Sequence, residues 1–210
     1  MSRPMIRRVI FDLGGVVLRW RPAVLLAQQL PRHTATPQAL AQLQAGFFGP
    51  DWWDFDRGTV STVDLADRLV RRLALGVPEV LSVIEAGPEE LQPVEATLAL
   101  MRRLREAGCR LYYLSNMPLP YAEHLERRHD FFRWFEDGVF SSRVQCIKPE
   151  PRIFELALER FGCAPQEAVF LDDHPLNVEA ARALGLHAVQ FRDAAQAEAE
   201  LQALGVTRGG

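Results

Sequence analysis

Cysteine is scarce in this chain: Cys109, Cys146 and Cys163 are the only three among 210 residues. An odd, widely spaced set makes neither a disulfide framework nor a zinc cluster, and it points to a reducing cytoplasm. His33, His124, His129 and His187 are scattered without the spacing of metal ligands. Long apolar runs are missing, and no stretch approaches the roughly 20 apolar residues that cross a membrane. The opening Met1-Ser2-Arg3-Pro4 leads into a short run ending at Asp12, which does not read as a secretory signal. Positive charge is not in excess either. A formal net charge of −3 leaves no electrostatic footprint for nucleic acid. There are no internal repeats, and the one biased tract, Ala/Glu/Gln-rich near the C-terminus, reads as a helix. The expectation is a soluble protein with neither nucleic acid nor membrane as partner.

What is present suits one globular unit with a sizeable core and a small insert, since 48% of residues are hydrophobic and 24% charged. Five short apolar runs read as strands: Arg8 to Phe11, Arg110 to Leu114, Gly138 to Phe140, Ala168 to Leu171 and His187 to Phe191. Each is ambiguous alone. Their alternation with helical patterns argues for βαβ units and a doubly wound parallel sheet, an α/β fold. The helical stripes are Val94-Leu98-Met101-Leu104, then Ile153-Phe154-Ala157-Leu158-Phe161, then Val178-Ala181-Leu184. The second opens at Pro151 and closes at Gly162, the proline-in, glycine-out asymmetry of helix ends.

Residues 16–91 contain no convincing strand. Leu25 to Leu30, Pro37 to Phe47, Thr62 to Leu75 and Val77 to Glu90 read as helices, with an aromatic and acidic loop expected from Phe47 to Gly58. This predicts an α/β core from 1–15 and 92–210, and a small all-helical cap domain from 16–91 inserted after the first strand. A cap so placed lies over the carboxyl end of the sheet, where ligands of open α/β folds bind.

The strand ends carry the chemistry. Phe11-Asp12-Leu13-Gly14-Gly15-Val16 comes first, then Leu114-Ser115-Asn116, then Lys148-Pro149-Glu150-Pro151, then Phe170-Leu171-Asp172-Asp173-His174-Pro175-Leu176-Asn177. Taken singly, each also fits turn or cap chemistry. Together, in this order and spacing, they resemble the haloacid dehalogenase-like hydrolase superfamily over nearly the whole chain, with an insert similar to the small helical cap of its first cap class. The resemblance implies a magnesium-dependent phosphatase acting on a small phosphorylated metabolite. Asp12 would be the nucleophile, forming an aspartyl-phosphate. Lys148 would neutralise the phosphoryl oxygens, and Ser115 and the Asn116 amide would donate to them. Asp12, Asp173 and the Gly14 carbonyl would hold Mg2+, with Asp172 acting through water and Asn177 orienting the acidic loop.

One position departs from the family pattern. Most of its phosphatases carry a second aspartate two residues after the nucleophile, as general acid and base, and here that residue is Gly14. Three readings follow. The substrate could have an easily expelled leaving group, such as a sugar 1-phosphate; sugar-phosphate phosphatases with glycine here are similar in this respect. Another group could substitute, His174 from the metal loop or Asp51, Asp54 or Asp56 from the cap. Or the chain could retain the site with little turnover, as a phosphate-ligand binder. A metal-free 2-haloacid dehalogenase also needs no acid at Gly14, although the paired Asp172-Asp173 argues against it. The cap aromatics Phe47, Phe48, Trp52, Trp53 and Phe55 could form a lid core, a sugar platform or a homodimer contact.

Overall fold

The computed structural model describes residues 6–206. Its sheet has five parallel strands in the order β3-β2-β1-β4-β5, formed by β1 (Arg8–Phe11), β2 (Arg110–Ser115), β3 (Phe135–Phe140), β4 (Ala168–Asp172) and β5 (His187–Gln190). The doubly wound α/β class expected from the alternating pattern is what forms. The central strands are buried on both faces, so they read as continuous apolar runs. Val9, Phe11, Leu111, Tyr113, Val169 and Leu171 point into one core. Ile10, Tyr112, Leu114 and Phe170 point into the other, the two-residue alternation of a strand. No described helix is long and apolar enough to cross a membrane.

β3 begins three residues earlier than its apolar run, at Phe135, and takes in Glu136 and Asp137. An edge strand tolerates such charges because one of its sides meets solvent. Asp137 is held there by Nε and Nη2 of Arg160 at 2.8 and 2.7 Å.

Between β1 and α6 (Glu95–Glu106) lie five α-helices: α1 (Pro22–Gln29), α2 (Pro37–Phe47), α3 (Pro50–Arg57), α4 (Thr62–Leu73) and α5 (Val77–Glu90). Their buried side chains, such as Phe47, Leu65, Leu69 and Val80, join the core on the first face of the sheet. The two linkers to this helical segment pair with each other. Arg19 N donates to the Gln92 carbonyl at 2.8 Å and Val94 N to that of Val17 at 2.9 Å. The Thr97 hydroxyl adds a buried bond to the Val16 carbonyl.

The stretch expected as an aromatic loop is instead α3. Pro50 occupies its first turn and Gly58 ends it in the left-handed region, φ +79°. These are the same proline and glycine signals that place helix ends elsewhere in the chain. Trp52 and Phe55, three apart, form its buried face. Eight residues dense in aromatics and aspartates hide that period, because the polar positions are also acidic and turn-like.

α3 is clamped to the core at its C-terminal end. The Ser141 hydroxyl donates to the Asp56 carbonyl at 2.5 Å and accepts from Met117 N at 2.9 Å. Arg57 forms a two-pronged pair with Glu150, at 2.6 and 2.9 Å. A Cβ on Gly58 would lie 2.5 Å from the Ser142 carbonyl oxygen. Gly58→Ala therefore combines left-handed backbone strain with a backbone collision, at a cost of about 1–3 kcal/mol. Thermal unfolding should show a midpoint lowered by roughly 2–4 °C for each kcal/mol lost. An unchanged midpoint would mean that the clamp is not held as described.

Candidate active site

β1 and β4 are neighbours with Phe11 opposite Leu171. That register delivers Asp12 and Asp172 side by side at the carboxyl end of the sheet. Asp12 N still donates to the Leu171 carbonyl at 2.8 Å. Beyond it the chain winds tightly, with the amides of Val16, Val17 and Leu18 all donating to the Leu13 carbonyl. Gly15 permits this turn at φ +80°, where a Cβ would stand 2.6 Å from an Asp173 carboxylate oxygen.

Lys148 sits between the two strands' carboxylates. Its Nζ is 2.8 Å from Asp12 Oδ1 and 2.7 Å from Asp172 Oδ2, with the lysine 3% exposed. Burial pulls the ammonium toward deprotonation, but the Asp12 and Asp172 charges outweigh it and hold Lys148 above the ordinary lysine range. The backbone of Lys148 is held as firmly. Asn116 Nδ2 donates to its carbonyl at 2.9 Å, and its own amide donates to Asn116 Oδ1 at 2.8 Å. The Asn116 side chain is thus a positioning group for Lys148, a use its place in the sequence motif did not reveal.

Asp172 is fully committed. One oxygen takes Lys148, the other takes the His174 amide at 2.8 Å, and Asn177 Nδ2 donates to both at 3.0 and 3.1 Å. Asp12 is less so. Its Oδ1 accepts from Lys148 and from Leu13 N, whereas Oδ2 makes no hydrogen bond among the described residues. The buried Ser115 hydroxyl, on the same cavity wall, is likewise without a protein partner among them.

Asp12, Asp172 and Asp173 bring carboxylate oxygens within 4.8 Å of one another. Three carboxylates face one ammonium, and the imbalance shows in their chemistry. Burial first, opposed by Lys148 and reinforced by Asp172 and Asp173, pushes Asp12 up to about 7. Burial and then Asp172 raise Asp173. Such an all-oxygen, charge-deficient set suits a hard divalent cation. Gly14 lines the same cavity.

The cavity above these groups measures about 600 Å³. Its floor is Asp12, Ser115, Asn116, Lys148 and Asp173, and its far walls are mainly apolar, including Trp20, Phe48, Trp52, Leu91, Met117 and Ile147. Trp52 is buried among Trp20, Phe47, Phe48, Phe55 and Tyr121; Trp53, 53% exposed, stands at the rim with Leu176. Trp20 and Met117 carry no sequence signal for a wall position. Of the three aspartates on α3, Asp51 pairs with Arg72 and Arg68, and Asp54 with Arg68. Asp56 alone lines the cavity, and its carboxyl has no hydrogen bond or ion pair among the described residues. Burial, then the Asp12 charge, pushes Asp56 up to about 8 against the pull of Lys148.

These features define a parallel α/β hydrolase with a carboxylate-lysine centre at the switch point of the sheet. A model of the haloacid dehalogenase-like hydrolases matches residues 6–185, and the chain belongs to that family. It is 28% identical to a sesquiterpene phosphatase of Aspergillus oryzae, over 94% of this chain and 96% of that one. Among solved structures it is similar to a family enzyme of Bacteroides thetaiotaomicron in complex with magnesium and inorganic phosphate. The TM-score is 0.72 at 21% identity, over 90% of this chain and 95% of that one. The L-2-haloacid dehalogenase of Xanthobacter autotrophicus shares the fold, with a TM-score of 0.64 at 17% identity, over 88% and 76% of the chains.

Asp56 provides a test in solution. Its folded value of about 8 lies above the ordinary 3.8, so between those values the folded protein keeps a proton that the unfolded chain releases. That stabilisation is complete below about pH 4 and is lost as pH rises through about 8. The unfolding midpoint of chelator-treated protein should fall across that window. Asp12 contributes with the same sign, so the comparison that isolates Asp56 is with Asp56→Asn, whose slope should be flatter. Identical slopes would mean that Asp56 is ionised in the folded state.

Proposed function

We propose that this protein hydrolyses phosphate monoesters of small metabolites in a magnesium-dependent reaction, through an aspartyl-phosphate on Asp12. The observation that carries the reading is the Lys148 ammonium held 2.8 Å from Asp12 beside three converging carboxylates. Phosphoryl transfer asks for positioning and charge neutralisation more than for elaborate covalent chemistry. Asp12 Oδ2, without a hydrogen bond among the described residues, is the oxygen suited to attack phosphorus. Lys148 holds the other oxygen in place and lies beside the phosphoryl site, and the Ser115 hydroxyl supplies a donor there. Asp12, Asp173 and the Gly14 carbonyl would hold Mg2+, with Asp172 behind them. The bound ion supplies positive charge against the phosphoryl oxygens. The magnesium and phosphate complex of the Bacteroides thetaiotaomicron enzyme supports this assignment.

The helices of 16–91 serve as the cap that selects the organic group. The apolar walls of the cavity favour an ester of an apolar alcohol, and the sesquiterpene phosphatase among the relatives supports that choice. Gly14 favours a second reading, a sugar 1-phosphate, whose anomeric oxygen leaves with little protonation. The metal-free dehalogenase reaction leaves the carboxylate cluster without a use, and a binder without turnover leaves the Asp12 oxygen that has no partner among the described residues without one.

The test is phosphate release from prenyl phosphates, sugar 1-phosphates and phosphoglycolate, with magnesium and with chelator, alongside halide release from 2-haloacids. Turnover should require magnesium, and Asp12→Asn should lower it by more than about 10⁴-fold. Phosphate release unaffected by Asp12→Asn would remove the nucleophile assignment. Halide release without metal would replace the phosphatase by the dehalogenase.

A further inference from the structure

The nucleophile loop lacks an acid where phosphomonoester hydrolysis needs one. An alkoxide leaving group requires a proton, and the water that later attacks the aspartyl-phosphate must lose one. Gly14 can do neither. On the proposed reading of the site, some other side chain facing the cavity must supply this chemistry, or turnover stays low.

Few side chains qualify. Lys148 is bound to two carboxylates, Asp172 is saturated, and Asp173 belongs to the metal-binding set. His174 is exposed at the rim, and its fixed contact is through its backbone amide. Asp51 and Asp54 are tied to arginines. Asp56 is what remains: a half-buried carboxyl lining the cavity, with no partner among the described residues.

We propose that Asp56, carried on α3, is the general acid and base of this enzyme and takes over the role vacated at Gly14. The placement is specific. The Asp56 carbonyl is held by Ser141 at 2.5 Å, and the next residue, Arg57, is paired with Glu150, two residues after Lys148. The backbone bearing the acid is therefore fastened to the loop bearing the lysine. The charged and titratable groups that face Asp56 are Asp12, Lys148 and Tyr121. The raised proton affinity of Asp56 fits a group that must arrive protonated near neutral pH.

The steps balance as follows. An Asp12 oxygen attacks phosphorus, the bond from phosphorus to the ester oxygen breaks, and that oxygen takes the Asp56 proton and leaves as an alcohol. Water then gives a proton to the Asp56 carboxylate as its oxygen attacks phosphorus. The bond from phosphorus to Asp12 breaks, inorganic phosphate leaves, and both aspartates return to their starting states.

The experiment compares wild type with Asp56→Asn on an alkyl phosphate and on p-nitrophenyl phosphate, whose leaving group needs no proton. With the alkyl ester, kcat should drop by about 100- to 10,000-fold without a burst. With the aryl ester, the variant should release one equivalent of nitrophenolate in a burst and then turn over slowly, because only the second step lacks its base. Asp56→Glu should restore part of the alkyl activity. Circular dichroism of both variants should match wild type. Steady-state rates within about twofold of wild type on both esters would overturn the assignment, as would a loss confined to KM. A wild type inactive on every ester would remove the phosphatase reading itself and this role with it, whereas an active wild type with an unaffected variant removes this role alone.

Discussion

An ammonium ion buried between two carboxylates organises the active end of this molecule. An isolated charge at the depth of Lys148 would cost far more than a folded domain can spare, so its partners must meet it with good geometry. Asp12 and Asp172 do so at 2.8 and 2.7 Å because β1 and β4 are adjacent and in register. Asn116 fixes the lysine backbone, and Asn177 with the His174 amide satisfies what remains of Asp172. Well-packed apolar residues would often serve stability as well as such a buried pair does. The network is therefore better understood through what it leaves incomplete: one Asp12 oxygen without a hydrogen bond among the described residues, and more negative charge than one lysine balances.

The helical segment is bound to that network at two levels. Its linkers pair beside α6, and α3 reaches the Lys148 loop through Arg57 and Glu150. The Arg57 pair draws Glu150 below the ordinary carboxylate range, first through its hydrogen bonds. The aromatic cluster around Trp52 contributes both to the segment's apolar burial and to the cavity wall. One set of side chains thus both packs a core and lines the cavity, which is why the sequence alone left those readings open.

The strands and most helices were legible because each signal was local and redundant. β1 is an apolar run ended by an aspartate and two glycines, and the helix at Pro151–Phe161 has its proline, its stripe and its glycine. Asp12, Ser115 and Asp172 stand at the carboxyl ends of β1, β2 and β4, as their place after apolar runs suggested, whereas Lys148 comes from a loop eight residues beyond β3. α3 was obscured by its composition, and β3 by charges that only an edge position permits. Asn116 and Asp56 show a deeper limit. That the Asn116 amide grips a lysine backbone 32 residues away, and that one of three nearby aspartates faces the cavity, depends on helix rotation and tertiary pairing. No spacing in one sequence encodes that directly.

Placing the acid on the helical segment changes what selectivity means for this enzyme. With an acid beside the nucleophile, the cap only has to hold the organic group, and poor contacts raise KM. With the acid on α3, three residues after Trp53 and four after Trp52, the surface that touches the organic group also aims the proton. Because α3 is fastened to the core, a substrate that fills the apolar wall poorly then sets its own leaving oxygen out of line with the Asp56 carboxyl. Binding energy at the wall is thereby spent on the transition state, and a truncated substrate loses kcat as well as affinity. The same arrangement removes the reason for restricting the enzyme to sugar 1-phosphates. Once Asp56 provides the proton, the ester of an ordinary apolar alcohol becomes as feasible as one with an acidic leaving group, and the shape of the cavity rather than the chemistry at Gly14 decides between them.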